Sequence, residues 1–191
     1  MIPTKKRVNK CIVTAALWLI AAVNTSAIAQ VDLLQSSVSA TAKQIGVPIE
    51  GKFKKINATV HFDPTKLAQS SANIEIDIGS YDMGSPEYNK EVTGREWFNA
   101  AQFPKATFVS SKIAAISTTQ YNVVGKLTLK DKTTEVTIPV TVKADAKAQI
   151  FDGVLPIKRT LFHIGEGEWR DTSVVADEVV IKFHVVNRLS K

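Results

Sequence analysis

Three histidines, one cysteine and a turn crowded with carboxylates are the side chains of this 191-residue chain best suited to catalysis or metal binding. None forms a recognisable constellation. His61, His163 and His184 are too scattered to make a local metal motif, and strand alternation puts His61 and His184 on the polar side of their strands as surface residues. His163 lies near Arg159 and a glycine-rich loop, where the imidazole is placed either to touch a polar head group or, on the better-supported reading, to serve structure. Glu166, Glu168 and Asp171 crowd a turn beside Arg170, but they lack the alternating oxygen ligands of an EF-hand and read as a solvated, ion-paired turn. There is no Gly-x-Ser-x-Gly elbow, no His-Glu-x-x-His helix and no phosphate-cradling loop. The expectation is a protein that is not an enzyme and holds no metal or cofactor.

The elements that would carry these side chains are strands. Ile74, Ile76 and Ile78 alternate with Asn73, Glu75 and Asp77, and Val136, Ile138, Val140 and Val142 alternate with Thr137, Pro139, Thr141 and Lys143. One face is apolar and the other wet, the pattern of antiparallel sheet. Lys130-Asp131-Lys132 joins Leu127 and Leu129 to the Val136 strand as a hairpin, and similar alternation surrounds Phe53, Val60 and Phe62, Phe108, and Val179 to Val185. These predict an all-β domain of about eight strands, closed into a lipocalin-like barrel because so few helical segments are present to cover the apolar face. Pro139 predicts an edge, a bulge or a gap in the ladder. Ser85-Pro86-Glu87 is a helix start that Gly94 should end, and a second short helix is expected after it, so the barrel carries a short helical insertion.

Lys5, Lys6, Arg7 and Lys10, an apolar run from Cys11 to Val23, and Ala27-Ile28-Ala29 make the charged, hydrophobic and small-residue series of a secretory signal peptide over residues 1–29. The apolar run is short of the roughly 20 residues of a membrane span. The mature domain is then residues 30–191, a periplasmic protein starting at Gln30 without its only cysteine, so thiol chemistry and disulfides are excluded. The leader holds four of the 24 basic residues and none of the 18 acidic ones, so the +6 net charge falls to 20 − 18, or +2, and nucleic acid is excluded as a partner. Oligomeric state is open, a homodimer included.

The block from Gly94 to Phe108, with Phe103-Pro104-Lys105-Ala106-Thr107-Phe108 at its end, runs into the strands Tyr121 to Leu129 and Thr134 to Val140. Before it stand Gly46 to Phe53, Val60 to Pro64 and Ile74 to Ser80; after it stand Leu155 to Arg159, Ile164-Gly165 and Val179 to Phe183. In this order the series resembles the YceI-like family of exported polyisoprenoid-binding proteins. An eight-stranded barrel is either just filled by side chains or just wide enough for one ligand, and composition alone favours the filled core. The resemblance implies the other arrangement: an elongated apolar cavity holding a polyisoprenoid, such as an isoprenoid quinone or polyprenyl phosphate, for binding, sequestration or transport. Its implied lining is Ile76, Phe108, Leu127, Leu129, Ile138, Val140, Ile157, Ile181 and Phe183, with Phe162, and with Trp97, Phe98 and Phe103 of the insertion closing one end beside Tyr88. Trp169 reads equally as plug or ligand contact. A guanidinium at the mouth can clamp a phosphate or quinone oxygen; Arg159 is equally open to that role and to a structural salt bridge, and Arg95 reads as a salt bridge. Two alternatives stand beside carriage: an enzyme or redox accessory presenting a bound quinone to an inner-membrane cytochrome, and a ligand-free structural or stress protein.

Overall fold

The computed structural model describes residues 30–189, and the expected leader with Cys11 lies outside them. The chain forms a single antiparallel sheet of eleven strands: β1 (Gln30–Val31), β2 (Ser37–Gln44), β3 (Val47–Phe53), β4 (Ile56–His61), β5 (Ser71–Asp77), β6 (Tyr81–Asp82), β7 (Lys105–Ala115), β8 (Gln120–Leu129), β9 (Lys132–Ala144), β10 (Ala148–Lys158) and β11 (Glu178–Arg188). The hydrogen-bonded order is β4-β5-β7-β8-β9-β10-β11-β2-β3-β6, with β1 paired to β11. The one α-helix among the described residues, α1 (Pro86–Thr93), starts where Ser85 accepts a hydrogen bond from the Tyr88 amide at 3.5 Å and Pro86 needs no partner; it ends at Gly94.

Period-two alternation sets the inner face. In β8, Tyr121, Val123, Leu127 and Leu129 are buried while Lys126 is exposed; in β9, Ile138, Val140 and Val142 are buried on either side of exposed Pro139. The sheet curls round this apolar face. Two inward glycines sit under aromatic rings: a Cβ on Gly125 would collide with the Phe108 ring, and one on Gly153 with that of Phe183. The bare backbone leaves room for each ring to approach the strand closely, the kind of aromatic–glycine pairing that supports glycine in curved sheets.

The expected closed barrel of about eight strands requires correction. The ladder has two free ends, β4 and β6, and the strand count is eleven. The additional full-length strand is β2, whose inward residues Val38, Ala40 and Ala42 are too small to give a strong alternation; β1 and β6 are two-residue pieces. At one end side chains tie β4 to β10 and β11 across the interior. Asn187 of β11, fully buried, donates from Nδ2 to the Val60 carbonyl of β4 at 3.2 Å and to Gln149 Oε1 at 3.3 Å, and Gln149 of β10 donates from Nε2 to the Phe62 carbonyl at 3.1 Å. Amides take the place of a ladder at this end.

Pro139 marks a gap, one of the three outcomes its missing N–H allows. β9 pairs with β10 only from Val140–Gly153 to Ala144–Gln149, and the two strands part from Pro139 onward. The second helix expected after α1 is not formed. Residues 95–102 make irregular turns, because Asn99 adopts a left-handed φ of 51° and its amide returns to the Gly94 carbonyl at 2.7 Å.

Candidate ligand cavity

Inside the curled sheet lies a cavity of about 540 Å³. Its far end is lined by an aromatic triad, in which Phe62 stands edge-on to Tyr121 at 5.0 Å and to Phe151 at 5.4 Å, both at 85°. The other end lies under α1, the turn carrying Trp97 and Phe98, and the long β10–β11 connection carrying Trp169. That roof is held together across sequence. The Trp169 indole donates from Nε1 to Glu91 Oε1 of α1 at 3.1 Å, and the Trp97 and Trp169 rings lie 5.5 Å apart. Phe98 packs edge-on against Tyr81 at 5.5 Å and Phe53 at 6.1 Å.

Of the residues expected to line such a space, Ile76, Trp97, Phe98, Phe108, Leu127, Leu129, Ile138, Val140, Ile157, Ile181 and Phe183 do so, and Arg159 borders it. The filled core that composition favours is not formed, since these aliphatic side chains face open volume. Two residues do not reach the cavity. Phe103 is half-buried in the turn before β7, held there by its amide bond to the Asn99 carbonyl, and Phe162 is 2% exposed in the core, where a 3-10 turn (Arg159–Phe162) directs it away. Alternation within β8 would have found Tyr121 and Val123, each two residues from its neighbour on the inner face. Tyr88 and Trp169 line the mouth as well, joined there by Glu87 and Glu91 of α1, while Phe62 and Phe151 line the far end; these last four depend on long-range placement with no local signature.

Arg159 is neither of the things its sequence context suggests. It is 1% exposed, and its guanidinium spends all five N–H donors on backbone carbonyls. Nε donates to Ala176 at 3.1 Å, Nη1 to Ile164 and Gly165 at 2.9 Å each, and Nη2 to Trp169 at 2.8 Å and Val175 at 2.7 Å. No donor is left for a head group, and no carboxylate accepts from it. The residue gathers the β10–β11 connection into one piece and sets its charge 5.8 Å from the Trp97 ring centre. Burial pushes the guanidinium below its ordinary value, opposed by the Asp177 charge, yet that ordinary value is high enough to keep it charged at neutral pH. Burial pulls Asp177 upward, but the Thr160 hydroxyl at 2.7 Å and the Thr160 amide at 3.1 Å outweigh it, and the carboxyl lies below the usual range.

Away from the Glu87 and Glu91 carboxylates and the unpartnered Trp97 indole N–H, the cavity wall is mostly apolar. Tyr81, whose ring crowds Gly51, donates its hydroxyl to the Ala40 carbonyl at 3.2 Å, and burial pushes its phenol up to about 12, so it stays neutral. The histidines lie outside the lining. His184 meets Asp152 at 2.7 Å on the outer face, His163 is half-exposed 3.9 Å from Asp131, and His61 is exposed. Arg95 is exposed and outside the lining. The acidic turn does not converge on a point: Glu166 pairs with Lys130 at 3.7 Å, while Asp171 accepts from the Ser173 amide and hydroxyl.

Residues 30–187 match the YceI-like domain family. The chain is 57% identical to the crystal structure of Burkholderia cenocepacia BcnA, with a TM-score of 0.81 over 82% of this chain and 99% of that one. It shares its fold with a polyisoprenoid binding domain from Saccharophagus degradans implicated in plant cell wall breakdown, at 15% identity and a TM-score of 0.70 over 86% of this chain and 100% of that one. A UPF0312 protein of Vibrio parahaemolyticus is 30% identical over 97 residues, which is 51% of this chain and 49% of the relative. The chain spans about half the length of the curated relatives it matches. With the apolar cavity enclosed by one curled antiparallel sheet, these matches place the chain in the YceI-like family.

Proposed function

We propose that this protein binds a polyisoprenoid lipid, its tail in the cavity and its head near the mouth under α1, and carries or sequesters it in the periplasm without changing it. The observation that carries the reading is the size and lining of the cavity: about 540 Å³, with aromatic rings around Phe62 and walls of aliphatic side chains. That volume is typical of ligand pockets. At about 30 Å³ per water-sized group it takes about eighteen chain groups, so a longer tail extends into the mouth between Tyr88 and Trp169. At about 0.3 kcal/mol per heavy atom a tail of that length is held by about 5 kcal/mol, and one of forty carbons by about 12 kcal/mol. Retention needs no covalent step. The likeness to a polyisoprenoid binding domain supports the ligand class, and the charged, apolar and small-residue series of residues 1–29 supports export.

Organic extraction of protein purified from the periplasm, followed by mass spectrometry, tests both parts. A stoichiometric isoprenoid lipid and a mature mass beginning at Gln30 are expected. Lipid turned over during incubation would favour an enzyme, and an extract without lipid would favour a structural protein. A periplasmic product still carrying Met1 to Ala29 would overturn the assignment of the leader.

A further inference from the structure

The turn joining β2 to β3 is built against its own stability. Ile45 and Gly46 both take left-handed conformations, with φ of 50° and 79°, as a two-residue hairpin requires, and such turns favour Asn-Gly or Asp-Gly. A β-branched residue at positive φ is a strained outlier. Ile45 is also 77% exposed, so the position costs the fold twice and gains it no burial. The tip continues as Ile-Gly-Val-Pro-Ile without a charge, and Val47 is 62% exposed.

This lip is continuous with the cavity. Val47, Ile49, Gly51 and Phe53 share one strand face, and Ile49 and Phe53 line the cavity, so the inner wall runs out past the mouth into Val47. The Ile45 amide is fixed to the Val174 carbonyl at 2.8 Å, and Gln44 bridges to Val175, which lines the mouth. Tyr88 of α1, 64% exposed, is also part of the lining.

We infer that the β2–β3 tip, led by Ile45 and Val47, inserts into the surface of a lipid bilayer and holds the cavity mouth against it. The inference rests on the lipid-binding reading, and that reading selects the bilayer over a protein as occupant. A tail that crossed open water would pay for every methylene exposed, whereas a mouth seated in the interface passes it from one apolar phase to the other. The absence of charge at the tip makes the contact an apolar one, independent of anionic lipid.

The test is co-sedimentation of the purified protein with phosphatidylcholine vesicles, with and without phosphatidylglycerol, together with melting curves taken without vesicles. Ile45→Asn should lower vesicle partitioning about tenfold and raise the melting temperature by about 2–4 °C as the turn is relieved. Those opposite signs separate a docking role from a structural one. Val47→Thr, which keeps strand propensity at an unstrained position, should lower partitioning without lowering the melting temperature, and it stands in if Ile45→Asn misfolds. Unchanged partitioning in both variants, failure of the parent protein to bind phosphatidylcholine, or binding that demands phosphatidylglycerol would overturn the inference. The lipid extract is read separately, so vesicle docking by a protein without isoprenoid would sink the lipid-carriage reading and leave the docking tip standing.

Discussion

Replacing Arg159 separates its structural role from a ligand-binding one. Each of its five bonds joins a charged donor to a carbonyl, an interaction of about 1.5–3 kcal/mol that is not additive within one network. Arg159→Lys keeps the charge but offers three donors in place of five, so at least two of the Ile164, Gly165, Trp169, Val175 and Ala176 carbonyls lose their partner. The expected loss is about 3 kcal/mol. Arg159→Met strands all five and should lose about 4 kcal/mol or more, a large share of the 5–15 kcal/mol typical of a domain. With an m-value of about 1–3 kcal/mol/M, Arg159→Lys should lower the urea midpoint of delipidated protein by at least about 1 M. Tryptophan emission is the natural readout, because Trp97 and Trp169 lie 5.5 Å apart in the roof that Arg159 gathers. If Arg159→Lys left the midpoint of delipidated protein unchanged while bound lipid fell, the carbonyl cradle would be refuted and the residue would be a head-group clamp after all.

The cavity and the buried phenol give two further outcomes. Leu129→Phe adds bulk to a wall that faces open volume, so lipid recovered per protein should fall while the melting temperature of delipidated protein changes little; lost stability with lipid content intact would mean a solid core at that position. Tyr81 has a folded pKa of about 12, above the usual 10, so its contribution is fully present below about pH 10 and is lost as pH rises to about 12. Chemical denaturation along that alkaline range should show a decline of about 3 kcal/mol that Tyr81→Phe abolishes, and an identical slope in the variant would refute the assignment.

Much of the fold is legible because it is written in local periods. Ser85-Pro86 and Gly94 give both ends of α1, the alternation from Val136 to Val142 gives the inner face of β9, and Pro139 gives the place where its ladder to β10 stops. β2 escapes because Val38, Ala40 and Ala42 are small and stand among serines and threonines. The aliphatic part of the cavity follows from the same periods together with family resemblance. Its roof follows only in part: the resemblance implies Tyr88, Trp97 and Phe98 there, but not the bond that ties the roof together, since Glu91 and Trp169 meet across 78 positions and neither sits in a periodic run. Arg159 is misleading for a related reason: its partners are backbone carbonyls, which every residue carries and no sequence pattern marks. Phe103 and Phe162 share the aromatic character of the true lining, and only the direction of their turns sets them apart.

The amide seam bears on how this architecture could accept ligands of different girth. In a barrel laddered all the way round, strand number and shear fix the diameter, and it changes only by whole registers. Here β4 is tied to β10 and β11 at one end by Asn187 and Gln149 reaching the Val60 and Phe62 carbonyls, so the spacing at that end depends on side-chain length and torsion. Bore at that end then becomes a continuous variable tuned at two positions: a shorter or longer amide there redraws the local cross-section while the strand pairings stay as they are.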